Sequence, residues 1–220
     1  MLDASTPKGR IISAALDCAA AEPWGDVTLL DIAEAAQLPL VEVRDAFTGK
    51  ADILAAFLRA VDDEVLKRTP KQAEGQDKRD ALFDVVMTRF DVLAPYKAAL
   101  KSIRGSGPAD MSLAQPFLAS QHWMLQGAGI GTDGAAGALR VAGLGMVYAS
   151  VFGTWLEDDD PGLARTMAAL DRRLRRGERT LRSVEQVGTT LYRLATEGPS
   201  FIRSTMRART KAEPTAGTDA

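Results

Sequence analysis

The sequence is short of the groups that fix metals, disulfides or covalent intermediates. It holds one cysteine and one histidine in 220 residues. The lone Cys18 excludes an internal disulfide and fits a reducing compartment, and its place in an apolar helical stretch predicts a small packing residue rather than a reactive thiol. The lone His122 excludes a histidine-rich metal site. Beside Trp123 and with no evident sequence partner, it reads as a core or pocket residue rather than a base. Aromatics make up 6% of the chain and no alternating β-branched runs occur, which excludes sheet as the organising layer. No catalytic constellation emerges, so neither an enzyme activity nor a cofactor is expected. The N-terminus lacks the apolar segment of a secretory signal, and no stretch reads as long enough to span a bilayer, so the cytoplasm is the expected compartment.

What remains is rich in alanine and leucine with helical spacing, and the fold class predicted is all-α. The length suits a small head and a larger helical body. Residues 28–47 organise the head. Thr28 stands three residues before Asp31, the spacing of a hydroxyl cap answered by a returning carboxylate. Leu29, Ile32 and Ala33 line one face, Gln37 and Leu38 carry a turn, and Pro39 opens a second short helix ending near Phe47. The plain alternative is an ordinary αα corner.

The neighbours favour a helix-turn-helix. Upstream, a helix beginning at Arg10 carries Ile12, Ala15, Leu16 and Ala19 on one stripe, with Trp24 just before the capping threonine. Downstream, Phe47-Thr48-Gly49-Lys50-Ala51-Asp52-Ile53-Leu54 leads into another helix. Together, residues 8–60 resemble the DNA-binding domain of the TetR family of transcriptional regulators. That resemblance implies a three-helix head over residues 1–50, a ligand-binding and dimerisation body over 51–197, and a disordered tail over 198–220. It implies a homodimer, double-stranded operator DNA as partner, and a small apolar or lipid ligand in the body. The DNA-contacting positions it implies are Thr28, Pro39, Leu40, Glu42, Val43, Arg44 and Lys50, with Thr28 and Lys50 at the family's phosphate contacts and Arg44 in place of the usual tyrosine.

Departures from the pattern matter. Pro39 stands where a serine or threonine usually caps the recognition helix, Val41 replaces a small residue, and Glu42 and Asp45 add carboxylates to a face meant for phosphates. Residues 1–55 hold four basic and nine acidic side chains, a net charge of −5. Since phosphate neutralisation supplies most non-specific affinity for DNA, binding is expected to be weak unless local geometry rescues it.

In the body, a helix over about 50–68 is expected to bury Ile53, Leu54, Phe57, Val61 and Val65 and to expose Asp62, Asp63 and Glu64. Residues 71–78 read as a loop. A helix over 80–93 turns Leu82, Val86, Phe90 and Leu93 inward, and a short one follows at 98–103 before the breaker Gly105-Ser106-Gly107-Pro108. Another helix covers 112–126. Gly129-Ile130-Gly131-Thr132-Asp133-Gly134 matches a dinucleotide fingerprint on paper, but that motif needs a preceding strand and a helix precedes it here, so a flexible connection over 127–137 is expected. A helix over 138–156 is apolar nearly all round and is expected to be buried on more than one side. Glu157-Asp158-Asp159-Asp160 reads as a solvated cap rather than a calcium loop.

Residues 163–182 are amphipathic and basic, with Arg165, Arg172, Arg173, Arg175, Arg176, Arg179 and Arg182 outward around Met167, Leu170 and Leu174. A solvated face is the plain reading, and contact with an acidic surface the sharper one, either a peripheral membrane contact through Arg172 to Arg182 or the acidic run Glu157 to Asp160 of a second copy. A last helix is expected over 183–195. Stretches around 79–91, 123–130, 137–140 and 155–159 also resemble the lipid-binding accessory proteins of ubiquinone biosynthesis, which implies a TetR-type fold that kept a cavity and lost DNA. The ligand-contact positions expected are Phe90, His122, Trp123, Met146, Phe152 and Trp155, with Met124 beside them. The regulator is the preferred reading, because the helix-turn-helix is recognisable end to end.

Overall fold

A computed structural model describes residues 2–70, 75–107 and 110–178, and among these there are helices and loops but no strand. Residues Met1–Leu174 form one compact unit, and Arg175–Ala220 a second in which only 175–178 are described. The helix expected over 183–195, the tail over 198–220, Arg179 and Arg182 all lie outside the described residues.

Three helices occupy the stretch expected to be the head: α1 (Pro7–Ala21), α2 (Leu29–Ala35) and α3 (Leu40–Ala46), and they lie in the same compact unit as the helices that follow. α1 starts earlier than its apolar stripe suggests, because Thr6 caps it through the Gly9 N–H at 3.1 Å and Pro7 opens its first turn. Gly9 is required there, since a Cβ would fall 2.0 Å from the Asp3 carbonyl oxygen. Thr28 and Asp31 form the reciprocal capping box that their spacing predicts. Pro39 is the N-cap of α3 rather than a residue of its first turn, in extended backbone and with no side-chain cap bond.

The long α4 (Lys50–Arg68) packs against α1 as well as against α5 and α7. It buries Ile53, Leu54, Phe57, Val61 and Val65 as its periodicity predicts. Each is stabilising by about 1.5–3 kcal/mol relative to exposure. Asp62 departs from expectation: it is buried rather than solvated. The body continues with α5 (Lys78–Leu93), a 3₁₀ turn at Ala94–Tyr96 around Pro95, α6 (Lys97–Gly105), a second 3₁₀ turn at Met111–Leu113, α7 (Ala114–Gly127) and α8 (Gly134–Leu156). A further helix, α9, covers 164–178. α6 packs chiefly against α1, so the body reaches the head along its first helix.

The connection before α8 is shorter than expected, only 128–133, and its glycines have conformational causes. Gly129 and Gly134 are left-handed (φ +64° and +63°), and a Cβ on Gly137 would meet the Thr132 carbonyl at about 2 Å. α8 corrects two expectations. At 23 residues and a mean hydropathy of 1.5 it is long and apolar enough to cross a membrane, although only 28% of that stretch is buried. Tyr148, Val151 and Trp155 pack into the body, which makes α8 a core helix on one side, while Leu139 and Met146 stand exposed on the other. The acidic run after it is not all solvated. Asp158 is buried and accepts from the backbone N–H and hydroxyl of Thr166 (2.8 and 2.7 Å), while Asp160 caps the same turn through Gly162 and Ala164. On α9, Leu170 and Leu174 are buried, but Met167 is exposed.

Candidate nucleic-acid interface

Two turns of capping chemistry set the position of α3. The Asp31 carboxylate accepts from the Thr28 backbone N–H (2.8 Å) and hydroxyl (2.6 Å), and those bonds hold its pKa below the usual aspartate value. Between α2 and α3 the chain reverses at Gln37, which adopts a left-handed conformation (φ +54°), and the Leu38 N–H donates to Ala33 O at 3.0 Å. Arg10 reaches over from α1 and donates to the carbonyls of Ala36 (2.6 Å) and Gln37 (3.1 Å). These carbonyls end α2 without helical partners, so the guanidinium completes the turn.

α3 is thereby held at the surface by Val43, with Ala46 partly buried and the C-capping Phe47 buried behind it. Val43 is fully buried, against the expectation that it meets DNA, while Leu40 and Val41 are 47% and 48% exposed. Glu42, Arg44 and Asp45 are exposed beside them. Arg44 folds back on its neighbour, donating from Nε and Nη2 to Asp45 at 3.0 and 2.8 Å.

Lys50 is engaged within the chain. Its ammonium donates to the carbonyls of Trp24 and Val27, each at 2.6 Å, and lies 4.5 Å from the centre of the Trp24 ring. It ties the α1–α2 loop to the start of α4 instead of reaching outward to a phosphate. Three of the four head cations are therefore engaged within the chain, and Lys8 alone has no partner among the described residues.

Below the head, polar groups converge inside the body. Arg89 on α5 is 1% exposed and pairs with Asp62 of α4, donates to the Tyr148 hydroxyl (3.2 Å), and lies 3.3 Å from Ser120 Oγ. Ser120 in turn donates to Asp62 at 2.8 Å. Burial pushes the Tyr148 phenol up, so it stays neutral in this cluster. Sequence reasoning missed these residues. The one available signal was that Asp62 lies four residues after Leu58 and three before Val65, on the edge of the apolar stripe.

No family model matches this chain, and no curated protein does. Solved structures match it at the level of the fold. A TetR transcriptional regulator from Nitrosomonas europaea ATCC 19718 superposes with a TM-score of 0.60 at 21% identity, covering 78% of this chain and 97% of the other. One from Rhodococcus sp. RHA1 gives 0.59 at 16% identity, with 76% and 93% covered. A TetR-family regulator from Streptomyces coelicolor gives 0.57 at 16%, with 92% and 97% covered.

The chain has the TetR fold.

Within this TetR fold the residues expected to contact a ligand fall into two groups. Phe90, Phe152 and Trp155 come together with Tyr148, ring centres 5.3–5.9 Å apart and near parallel. They stack on one another, with Phe90 and Trp155 fully buried as core. His122, Trp123 and Met146 do not join them. His122 is half-buried and meets Trp123 edge-on at 5.3 Å, Trp123 is exposed, and Met146 is 72% exposed on the outer side of α8. Period alone cannot tell which side of an all-apolar helix faces inward, and Met146 lies on the outer one. Met124, one residue after Trp123, is buried.

Proposed function

We propose that this chain is a TetR-type transcriptional regulator in which two copies pair through body helices and each lays α3 in a major groove. The observation that carries the reading is the attitude of α3, anchored by Val43 and Ala46 with Leu40, Val41, Glu42 and Arg44 turned to solvent. A helix held so is the element that reads base edges in a helix-turn-helix. Leu40 and Val41 suit thymine methyl groups, and Arg44 is the side chain available for a guanine or a phosphate once Asp45 releases it. The outward stripe of α8 at Leu139, Gly143 and Met146 offers the subunit contact, and a small apolar ligand in the body changes the spacing of the heads. Residues up to about 50 act as the head, with the remaining helices as the body. Selection of duplexes from a randomised pool, followed by fluorescence anisotropy on the enriched sequence, tests this. Enrichment of a two-fold symmetric site supports it, and an unenriched pool refutes it.

A second reading is favoured by one observation, the net charge of −5 over residues 1–55 with most of the cations there engaged. In it the TetR fold serves as a cytoplasmic carrier of an apolar or lipid molecule and no longer meets DNA. The aromatic cluster around Phe90 and Trp155 then adjoins the ligand, and the arginines from Arg172 onward touch an anionic membrane. A lipid retained in native mass spectrometry, together with no DNA binding at low salt, selects this reading.

A further inference from the structure

An open cleft of about 730 Å³ lies on the body between α6, the last turns of α8 and the start of α9. Its walls carry Lys101, Arg104 and Arg165 as cations, Ser150 and Thr154 as hydroxyls, and Glu157 as the single carboxylate. Lys101 pairs with Glu157 Oε2 at 3.1 Å, and Arg165 donates to the Glu157 backbone carbonyl at 3.2 Å. Arg104 has no partner among the described residues. Its guanidinium lies against the backbone of Gly153, where a Cβ would fall 2.7 Å from Nη1 and 3.0 Å from Nη2. Three cations facing one carboxylate leave the cleft with excess positive charge in a chain that is acidic elsewhere. A flat, unpaired guanidinium with two hydroxyls one helical turn apart is a donor set matched to a tetrahedral oxyanion.

We propose that this cleft binds the phosphate or diphosphate group of a small molecule, with Arg104 as the principal contact, Lys101 and Arg165 flanking it, and Ser150 and Thr154 supplying neutral donors. Gly153 keeps the guanidinium seated. The cleft lies on α6, whose other side is bonded to the head: Ser102 accepts from the Trp24 N–H and donates to the Glu22 carbonyl, and Ser106 accepts from the Gly25 N–H, all at 3.0–3.1 Å. An anion joining α6 to α8 and α9 therefore restrains the element that holds the α1–α2 loop.

The test is isothermal titration calorimetry of the full chain with inorganic pyrophosphate, alongside co-sedimentation with vesicles of phosphatidylcholine and phosphatidylglycerol. Wild-type protein is expected to bind saturably. Arg104→Ala is expected to weaken binding about tenfold, the loss of one charge-assisted pair of contacts. Gly153→Ala, which displaces the guanidinium without removing charge, should weaken it as well. Glu157→Gln should tighten binding by freeing Lys101, and Lys8→Ala, which removes a cation far from the cleft in sequence and absent from its lining, should bind pyrophosphate as wild type does. Binding of pyrophosphate assigns the site to a soluble phosphate compound. Arg104-dependent binding of vesicles without pyrophosphate assigns it to a lipid headgroup. Binding of neither probe, or equal binding by the Arg104→Ala and Lys8→Ala proteins, overturns the proposal.

Discussion

Arg89 and Asp62 form a buried ion pair between α5 and α4, twenty-seven residues apart in the chain, with Ser120 and Tyr148 completing the guanidinium's and carboxylate's hydrogen bonds. α4 also packs against α1, so this pair fixes α5 to a helix that reaches the first three. Removing one partner strands a charge in the interior, which costs about 3–5 kcal/mol, whereas replacing both with apolar residues of similar volume is often neutral. Asp62→Ala should therefore lower stability by about that amount in urea denaturation. The Asp62→Leu/Arg89→Met double variant should recover most of it. Equal losses in the single and double variants would mean that the pair contributes packing rather than charge compensation.

Lys50 is expected to act as a fastener of the head. Lys50→Met removes two donors from the Trp24 and Val27 carbonyls and the cation above the Trp24 ring. A loss of about 1–3 kcal/mol in chemical denaturation is expected from the two unsatisfied carbonyls. The salt dependence of DNA binding should stay the same, because no phosphate contact is lost. A reduced salt slope with unchanged stability would place Lys50 on the phosphate instead.

Stability should fall on acidification, through carboxylates that cap helices. The Thr166 hydroxyl holds the Asp158 carboxylate below its usual value of 3.8, and the Thr28 hydroxyl does the same for Asp31. For a depressed carboxylate the unfolded chain binds more protons, so the stabilisation is fully present above the unfolded value and is lost as pH falls through the lower, folded one. Thermal melts should show the loss below about pH 4. Thr166→Val should flatten that dependence, and an unchanged acid limb would refute Asp158 as a contributor.

Pairing through α8 predicts that a charge on its exposed stripe separates the subunits. Met146→Asp places a carboxylate on a side chain already 72% exposed, so the folded subunit should tolerate it while the dimer dissociates. Sedimentation velocity should report a dimer for wild type and a monomer for the variant. A dimer in both cases would move the interface elsewhere.

Helix order, the capping box at Thr28 and the inward faces of α4 and α5 were legible because each rests on local spacing, which a sequence carries directly. Asp62 was not. It sits in an acidic run with Asp63 and Glu64, and only Arg89, distant in sequence, distinguishes it from a solvated charge. Lys50 and Arg10 were likewise illegible in role, since a long basic side chain serves a phosphate or a backbone carbonyl equally well until the fold decides. α8 is apolar on nearly every side, so periodicity held no information about which face is covered, and Met146 was misplaced for that reason. In the Lys101, Arg104 and Arg165 cleft, no local pattern unites residues from three helices.

On this reading α3 meets DNA with very few cations behind it, and the salt dependence of binding counts them. Each phosphate neutralised contributes a slope of about −0.9 in log K against log salt. With the exposed Lys8 and Arg44 the two head cations not committed to backbone carbonyls, a dimer on its selected operator should give a shallow slope of about −2 to −4. Selective binding with that slope is the predicted result. A slope of about −8 or steeper, or no selective binding at low salt, would contradict it.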